Sequence, residues 1–346
     1  MTADERYMQR CIDIAMNGLG NVAPNPMVGA VIVHDDKIIG EGFHQQFGKP
    51  HAEVNAISNA IEKYDSAILL HSTLYVNLEP CTHHGKTPPC TDLIISKNIP
   101  NVVIGNMDPF EKVNGSGIRK LTAAGIKVTT AILEASCMEL NKRFFTFHKK
   151  HRPYIILKYA QSMDGFIAPA EMTEENKWIS NEYSRKLVHK WRSEEQAIMI
   201  GTNTAEIDNP QLTVREWKGN NPVRLVIDRN LKLKASLMIF NQSSTTYIYN
   251  SVKSESKNNL EFIQIDFDKA VLRQISDSLY QKNIQSVIIE GGAALLQSFI
   301  DENLWDEARI FTGNNFLGDG IKAPVIKGKI IAEENILNDK LTILKY

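Results

Sequence analysis

The feature that most constrains this chain is a set of metal-binding side chains divided between two segments. His51 stands in H-A-E, and Cys81 and Cys90 bracket the loop C-T-H-H-G-K-T-P-P-C. One imidazole and two thiolates can hold Zn²⁺ in three positions and leave the fourth for water. The flanking patterns predict a helix after His51 and a strand before Cys81. Helices and strands must therefore meet at one metal site, which indicates an α/β fold.

The same residues predict the chemistry of the site. Zinc-dependent base deaminases carry H-x-E and then P-C-x-x-C, and their glutamate is a general acid and base rather than a ligand. The metal lowers the pKa of its water towards about 7, so Glu53 can move that proton to a ring nitrogen and then to departing ammonia. Pro80 is expected to present Cys81 at a helix N-terminus, which favours the thiolate. A core histidine with two buried apolar cysteines is the alternative.

Further residues near this motif are candidates for substrate binding. Asn25 lies in the turn of A-P-N-P-M-V-G and either holds the substrate through its amide or closes an Asx turn. The cysteines are separated by eight residues, and Lys86, with His83 and His84, would suit a phosphate-bearing substrate in that loop. An exposed loop is the alternative there. Asp108, in a turn after a strand, is a weaker candidate.

The length of the chain, 346 residues, indicates two domains. Strands and helices alternate up to Lys142, after which the pattern begins again without an internal repeat. The basic run 148–152 reads as a solvated linker. We therefore expect one domain over 1–146 and a second, different α/β domain over 152–346.

Composition argues against several classes of protein. With 39 basic and 40 acidic residues the net charge is −1, whereas nucleic-acid binders usually carry a basic excess. An RNA-binding base deaminase stays an alternative, although no basic–aromatic pattern favours it. No apolar run approaches the ~20 residues of a membrane span, and the charged N-terminus lacks the apolar segment of a signal peptide. A cytoplasmic enzyme is expected, with Cys11 and Cys137 as buried apolar groups.

In the second half, S-V-I-I-E-G-G followed by A-A-L-L-Q-S-F-I indicates a strand that enters a helix through two glycines. Paired glycines let backbone amides approach a phosphate at a helix N-terminus. The segment is not the G-x-G-x-x-G dinucleotide fingerprint, and a simple tight turn explains it equally well. The residues alone leave this choice open.

Over nearly its whole length the chain resembles the bifunctional riboflavin-biosynthesis deaminase/reductases. The likeness lies in P-N-P-M-V-G, the long cysteine loop, K-Y-A-Q-S-M-D-G, K-W-I-S, D-N-P-Q-L-T-V-R and I-E-G-G, in that order. The resemblance implies a cytidine-deaminase-like α/β/α sandwich that deaminates a diamino-hydroxy-pyrimidine bearing a phosphoribosylamino group. It also implies a dihydrofolate-reductase-like α/β domain that reduces the ribosyl chain to ribityl with NADPH.

The resemblance also implies roles for individual residues. His51, Cys81 and Cys90 would be the zinc ligands, with Glu53 as the proton shuttle. Cofactor contacts in the second domain would be Ala160, Trp178, Thr204, Asp208, Gly292, Ala293, Ala294, Leu295, Leu296, Gln297 and Ser298. Substrate contacts would be Asn176, Arg192, Leu212, Arg215 and Glu290. Two arginines in that set suit a ribose phosphate.

The chain departs from the family pattern at three places. Asn176 stands where serine is usual and the glycine of that stretch is absent, Arg229 replaces a small polar residue, and L-T-I-L-K-Y lacks a glycine-containing closing strand. Direct hydride transfer needs orientation more than a dedicated acid or base, so we assign no catalytic residue to the reductase. A deaminase with a non-catalytic second domain is the alternative. A homo-oligomer is expected of such an enzyme.

Overall fold

The computed structural model describes residues 1–84, 88–110, 113–173 and 176–346. Lys86, the predicted phosphate contact, lies outside these residues. The chain divides into two compact units, Met1–His151 and Arg152–Tyr346. Among the described residues, no helix has the length and apolar character needed to cross a membrane.

The first unit is a five-stranded sheet with helices on both faces. Its helices are Ala3–Ala15 (α1), Ala52–Ile61 (α2), Cys90–Ser96 (α3), Ser116–Ala123 (α4), Glu134–Leu140 (α5) and Lys142–Lys150 (α6). Its strands are Gly29–His34 (β1), Lys37–Phe43 (β2), Thr73–Val76 (β3), Asn101–Ile104 (β4) and Lys127–Thr129 (β5). The order in the sheet is β2-β1-β3-β4-β5, with β1 antiparallel to both neighbours and β3, β4 and β5 parallel.

Alternating apolar residues explain why both faces of this sheet are covered. Ala30 and Ile32 of β1 pack in a cluster with residues of α2, α3 and α4, whereas Val31 packs with residues of α1 and α5. Because successive side chains of a strand point to opposite faces, β1 contributes to two cores. Cys11 and Cys137 lie in the second core, 0% and 1% exposed. Their prediction as buried apolar groups is confirmed.

The prediction that the basic run 148–152 is a solvated linker is wrong in its local structure. His148, Lys149 and Lys150 form the last turn of α6. The His148 ring packs 4.4 Å from the ring of Phe144 and 5.0 Å from that of Phe110. An apolar stripe of phenylalanines on the inner face of α6 therefore holds this run as helix, which a count of charges does not reveal.

The second unit contains a larger mixed sheet. The helices of this unit are Glu182–Glu194 (α7), Thr202–Asp208 (α8), Val271–Gln281 (α9) and Ala293–Asp301 (α10). Its strands are Tyr154–Gln161 (β6), Phe166–Pro169 (β7), Ala197–Gly201 (β8), Val223–Ile227 (β9), Thr246–Asn250 (β10), Glu255–Lys257 (β11), Leu260–Gln264 (β12), Ser286–Ile289 (β13), Glu307–Thr312 (β14), Gly320–Lys322 (β15), Lys329–Ile336 (β16) and Asp339–Lys345 (β17).

The strand order of the large sheet is β11-β12-β10-β9-β8-β13-β6-β14-β17-β16. In this spatial order, all strands from β12 through β14 are parallel to one another. The strands β11, β17 and β16 are antiparallel to their neighbours. One face packs against α9 and α10 and the other against α7 and α8. The insertion of β13 between β8 and β6 brings the carboxyl ends of these three strands together. In open α/β sheets such an edge is where ligands bind.

Candidate active sites

The three predicted zinc ligands converge in the first unit. His51 immediately precedes α2, Cys90 is the first residue of α3, and Cys81 lies in the segment after β3. Nδ1 of His51 is 3.6 Å from Sγ of Cys81 and 3.3 Å from Sγ of Cys90, and the three atoms lie within 4.8 Å of one another. Tetrahedral zinc with bonds of about 2.0–2.3 Å places neighbouring ligand atoms roughly 3.5 Å apart. The donors and their spacing therefore fit a zinc ion.

The surroundings of the two thiols differ from the prediction. Cys90, and not Cys81, occupies the start of a helix. The start of that helix still stabilises the Cys81 thiolate, because the backbone N–H of Cys90 donates to Sγ of Cys81 over 3.4 Å. Hydrogen bonding from the Cys90 side chain, opposed by burial and aided by His51, lowers the pKa of Cys81 to about 4. Cys81 is therefore a thiolate at neutral pH, the form that binds a metal.

Glu53 lies beside the ligand group. It is in the first turn of α2, two residues after His51, and is 3% exposed. Burial raises the pKa of Glu53, with the charge of Cys81 adding to the effect. Its carboxyl group also contacts the Cys90 side chain through a hydrogen bond. A buried carboxyl group next to the metal donors is placed to accept a proton and to release it during the reaction.

Asn25 reaches this site through a residue that the sequence analysis did not single out. Its Nδ2 lies 3.1 Å from Nε2 of His44, and Nδ1 of His44 lies 3.1 Å from the carbonyl oxygen of Pro50. Asn25 therefore donates to Nε2, and the opposite ring nitrogen donates to Pro50. The His44 ring stands edge-on to that of His51, 5.3 Å between centroids. His44 follows a strand and carries no motif, so only its spatial neighbours reveal it.

The remaining candidates of the first unit lie close to the zinc-ligand segment or are exposed. Asp108 is 8% exposed, and burial raises its pKa to about 7, with the charges of Glu79 and Cys81 adding to the effect of burial. His83 and His84 are exposed, and the His83 ring lies 6.2 Å from that of Phe110. Asp108 thus belongs to the surroundings of the site more clearly than the sequence suggested.

In the second unit, a buried polar cluster occupies the ligand-binding edge of the sheet. We define this polar cluster as Lys158, His189, Arg192 and Glu290. Glu290 follows β13, Lys158 lies on the neighbouring strand β6, and His189 and Arg192 are one turn apart on α7. Nη2 of Arg192 donates to Oε2 of Glu290 over 2.8 Å. Arg215 adjoins the cluster, since its backbone N–H donates to Nδ1 of His189 over 3.3 Å.

Charges in the polar cluster shift one another. Burial alone would raise the pKa of Glu290, but the charges of Arg192 and Lys158 outweigh it and lower that pKa. Burial lowers the pKa of Lys158 and of His189. Among the described residues, Nε of Arg192 and Oε1 of Glu290 are buried without a hydrogen-bond partner. Buried polar atoms are normally paired, so these two atoms indicate where a polar ligand would bind.

The two glycines after β13, Gly291 and Gly292, pack closely against Thr204 of α8. Oγ1 of Thr204 accepts the backbone N–H of Gly292 over 3.1 Å. Gly291 has φ +109, and a Cβ atom there would lie 2.7 Å from Oγ1 of Thr204. Gly292 immediately precedes α10, so the first N–H groups of that helix, from Ala293 onward, face the same edge of the sheet as the polar cluster. Ala160 lies near the end of β6, and Asp208 ends α8.

Several predicted contacts in the second unit have other surroundings. The side chains of Leu212 and Leu296 are 2% and 0% exposed within the core, so only their backbone groups could touch a ligand. Asn176 is engaged in its own turn, where its Oδ1 accepts the N–H of Thr173 over 2.7 Å. Trp178 is 59% exposed and lies against Arg185, 4.6 Å from its guanidinium carbon. The structure does not bring these side chains into the polar cluster.

Farther along α10, side chains serve the packing of the unit. Ala294 is exposed, and Leu295 packs against the core. Oγ of Ser298 donates to the carbonyl oxygen of Leu295 over 2.7 Å, and Oε1 of Gln297 accepts the N–H of Val325 over 2.9 Å. The first turn of α10 is therefore better placed for a cofactor than its later residues.

Comparison with known proteins extends over both units. Residues 1–106 match the model of the cytidine and deoxycytidylate deaminase zinc-binding region, and residues 153–342 match that of the RibD C-terminal domain. The riboflavin biosynthesis protein RibD of Aquifex aeolicus (strain VF5) is 39% identical over 323 residues, 92% of this chain and 89% of that protein. RibD of Escherichia coli (strain K12) is 34% identical over 337 residues, 91% and 89% of the two chains.

A solved structure agrees over almost the full length. The crystal structure of a diaminohydroxyphosphoribosylaminopyrimidine deaminase/5-amino-6-(5-phosphoribosylamino)uracil reductase from Thermotoga maritima has a TM-score of 0.90 and 37% sequence identity. The match covers 99% of this chain and 98% of that one.

These likenesses confirm the predicted fold class, a cytidine-deaminase-like α/β/α sandwich followed by a dihydrofolate-reductase-like α/β domain. They also confirm the predicted pair of activities in riboflavin biosynthesis and the predicted cofactors, zinc and NADPH. A non-catalytic second domain and an RNA-binding deaminase are not favoured. The chain belongs to the RibD family of bifunctional riboflavin biosynthesis enzymes, which join a deaminase to a reductase.

Proposed function

We propose that the first unit, whose domain spans residues 1–146, deaminates a pyrimidine bearing a phosphoribosylamino group. We also propose that a second domain, over residues 152–346, reduces the ribosyl chain of the product. The observation that carries the first step is the convergence of His51, Cys81 and Cys90 beside the buried carboxyl group of Glu53. These three residues would hold zinc, which when bound lowers the pKa of water at its remaining position.

In this proposal Glu53 moves the protons of the deamination. Its carboxylate takes up a proton from the attacking water and gives it to the ring nitrogen. It then takes the proton of the hydroxyl group formed on the ring carbon and gives it to the amino group, which leaves as ammonia while that hydroxyl becomes a carbonyl. Asn25, oriented by His44, presents its amide to the pyrimidine ring. Asp108, whose pKa is raised in part by the charge of Cys81, is proposed to contact exocyclic groups of the ring. Lys86 is proposed as a phosphate contact on the sequence alone.

In the second unit the polar cluster is proposed to bind the ribosyl phosphate portion of the deaminated product. Arg192 and Arg215 supply positive charge, and the free Oε1 of Glu290 accepts a hydroxyl of the opened sugar. Lys158 adds a donor that the sequence analysis missed. NADPH supplies the hydride. The first N–H groups of α10, from Ala293 onward, are proposed to seat its phosphates, with Thr204 and Gly292 fixing the turn before that helix and Ala160, Trp178 and Asp208 along its path.

Two assays on the purified protein test both steps. Supplied with the diaminohydroxy-pyrimidine nucleotide, the enzyme should release ammonia without NADPH and should then oxidise NADPH when that cofactor is added. Supplied with the aminouracil nucleotide, it should oxidise NADPH directly. Ammonia release without NADPH oxidation above background would support a deaminase whose second unit is non-catalytic.

Replacing Cys90 with serine should remove the metal. A hydroxyl group is a poor substitute for a thiolate, and a structural or catalytic zinc needs each of its protein ligands deprotonated. Zinc content should fall from one per chain to well below half, and ammonia release should fall with it. Cys137→Ser, in the core away from the site, is the matched control and should keep both. Full zinc occupancy in Cys90→Ser would contradict the ligand assignment.

We also propose a cytoplasmic homo-oligomer. The four cysteines are free, which suits a reducing compartment. The edge strand β16 exposes 55% of Ile330 and 44% of Ile331, and exposed apolar edge strands favour pairing with another chain. Light scattering coupled to size-exclusion chromatography tests this assembly, and a monomer at all concentrations would exclude it.

A further inference from the structure

Glu79 is a buried carboxylate that the deaminase chemistry does not use directly. It is 4% exposed and lies two residues before the ligand Cys81. Its two oxygens accept four backbone N–H groups. The donors are Gly117 at 2.8 Å and Ile118 at 3.2 Å to Oε1, and Gly115 at 2.9 Å and Asp108 at 3.2 Å to Oε2.

These hydrogen bonds join three parts of the chain around the zinc ligands. The first is the segment that carries Cys81, the second is the turn that carries Asp108, and the third is the beginning of α4. The N–H of Glu79 also donates to the carbonyl oxygen of Asn106 over 2.9 Å, so Glu79 holds the turn from both its backbone and its side chain.

The beginning of α4 packs directly on the ligand segment. A Cβ atom at Gly117 would lie 2.3 Å from the carbonyl oxygen of Pro80 and 3.0 Å from Oε1 of Glu79. The hydroxyl groups of Thr82 and Ser116 are 2.8 Å apart and form a second link between the same parts. The residues on either side of Cys81 are therefore both tied to α4.

The negative charge of Glu79 matters to this arrangement. Hydrogen bonds from N–H groups to a carboxylate are about twice as strong as neutral ones, and a carboxylate at the start of a helix also interacts favourably with the helix dipole. A glutamine has one acceptor oxygen and an NH₂ group that would face N–H donors. No neutral side chain of the same shape can accept all four bonds.

We propose that Glu79 is a positioning residue of the deaminase, which sets Cys81 and Asp108 at fixed places around the zinc site. The proposal rests on the proposed function of the first unit. Glu79 acts through the backbone of its neighbours, as residues behind metal ligands do when they orient the ligands and tune metal affinity. If Glu79 only capped α4, it would stabilise that helix and have no effect on the metal site.

The test compares Glu79→Gln with Glu62→Gln, an exposed glutamate of the same unit. Zinc affinity is measured by competition with a chromophoric chelator, and kcat and KM for ammonia release are measured on zinc-loaded protein. Both are recorded at a temperature where thermal unfolding shows both variants fully folded. Glu79→Gln should bind zinc about 10- to 100-fold more weakly, with a comparable loss in kcat. NADPH oxidation with the aminouracil nucleotide should be unchanged.

Zinc affinity and kcat within about twofold of Glu62→Gln, despite a lower unfolding temperature, would overturn the proposal and leave Glu79 as a helix cap. If Glu79→Gln does not fold, Ser116→Ala removes only the weaker link and should lower zinc affinity about two- to tenfold; unchanged affinity there would also overturn it. A wild-type protein that binds zinc but releases no ammonia would instead contradict the proposed function, and the comparison of zinc affinities would still decide the role of Glu79.

Discussion

Glu53→Gln should retain one zinc per chain and lose ammonia release almost completely. The group that fits a metal comprises His51, Cys81 and Cys90, so we expect the metal not to depend on the carboxylate. An amide cannot take up and return a proton, and positioned acid–base groups contribute roughly 10²- to 10⁴-fold to rate. We expect a loss of kcat in that range with little change in KM, measured by ammonia release together with metal analysis.

The same chain supplies the controls for Glu53→Gln. Reduction of the aminouracil nucleotide depends on residues of the second unit and should keep its wild-type rate. Glu62→Gln, at the end of the same helix and exposed, should leave both activities unchanged. A Glu53→Gln protein that had lost its zinc, or that released ammonia at a rate near the wild type, would show that the role assigned to Glu53 is wrong.

Glu290→Gln should cause the largest loss in the second unit. Glu290 is the negative partner of Arg192 at 2.8 Å, and its charge also acts on Lys158. Removing it leaves two largely buried cations without this counter-charge. Breaking one partner of a buried, hydrogen-bonded charge pair costs about 2–5 kcal/mol, and the lower value corresponds to roughly 30-fold in kcat/KM. NADPH oxidation with the aminouracil nucleotide should fall by at least that factor.

Binding and folding must be separated for Glu290→Gln, because an unpaired buried charge also lowers the free energy of unfolding. Thermal unfolding of the variant sets the temperature at which the assay is done. Glu302→Gln, an exposed residue just after α10, is the matched control. Ammonia release from the first unit should stay at the wild-type rate. Reductase activity of folded Glu290→Gln equal to that of Glu302→Gln would remove Glu290 from the site.

Local sequence was sufficient to predict the secondary structure near the zinc site. The hairpin of β1 and β2 follows from a turn at Asp35 and Asp36, whose φ angles are 44° and 58°. Both residues adopt the left-handed conformation that two-residue hairpin turns require. The start of α2 directly after His51 is confirmed. These features depend on neighbouring residues, so short patterns reveal them.

Features that depend on distant partners were missed or wrong. The strand β14 was not predicted, because it pairs with β6 and β17, which lie far from it in the chain. The basic run was assigned to a linker, but the phenylalanines beneath it keep it in α6. In each case the deciding contact is tertiary.

The sequence by itself determined the type of chemistry in the first unit, since one imidazole, two thiols and a nearby glutamate limit both the metal and the reaction. The tertiary structure alone decided which other groups surround the reactants. Glu290 meets Arg192 across 98 positions of the chain, and Glu79 meets Gly117 across 38. Donor atoms are a property of each residue and can be read from the sequence. The pairing of buried charges depends on which strands and helices become neighbours, and the packing of the whole unit sets that.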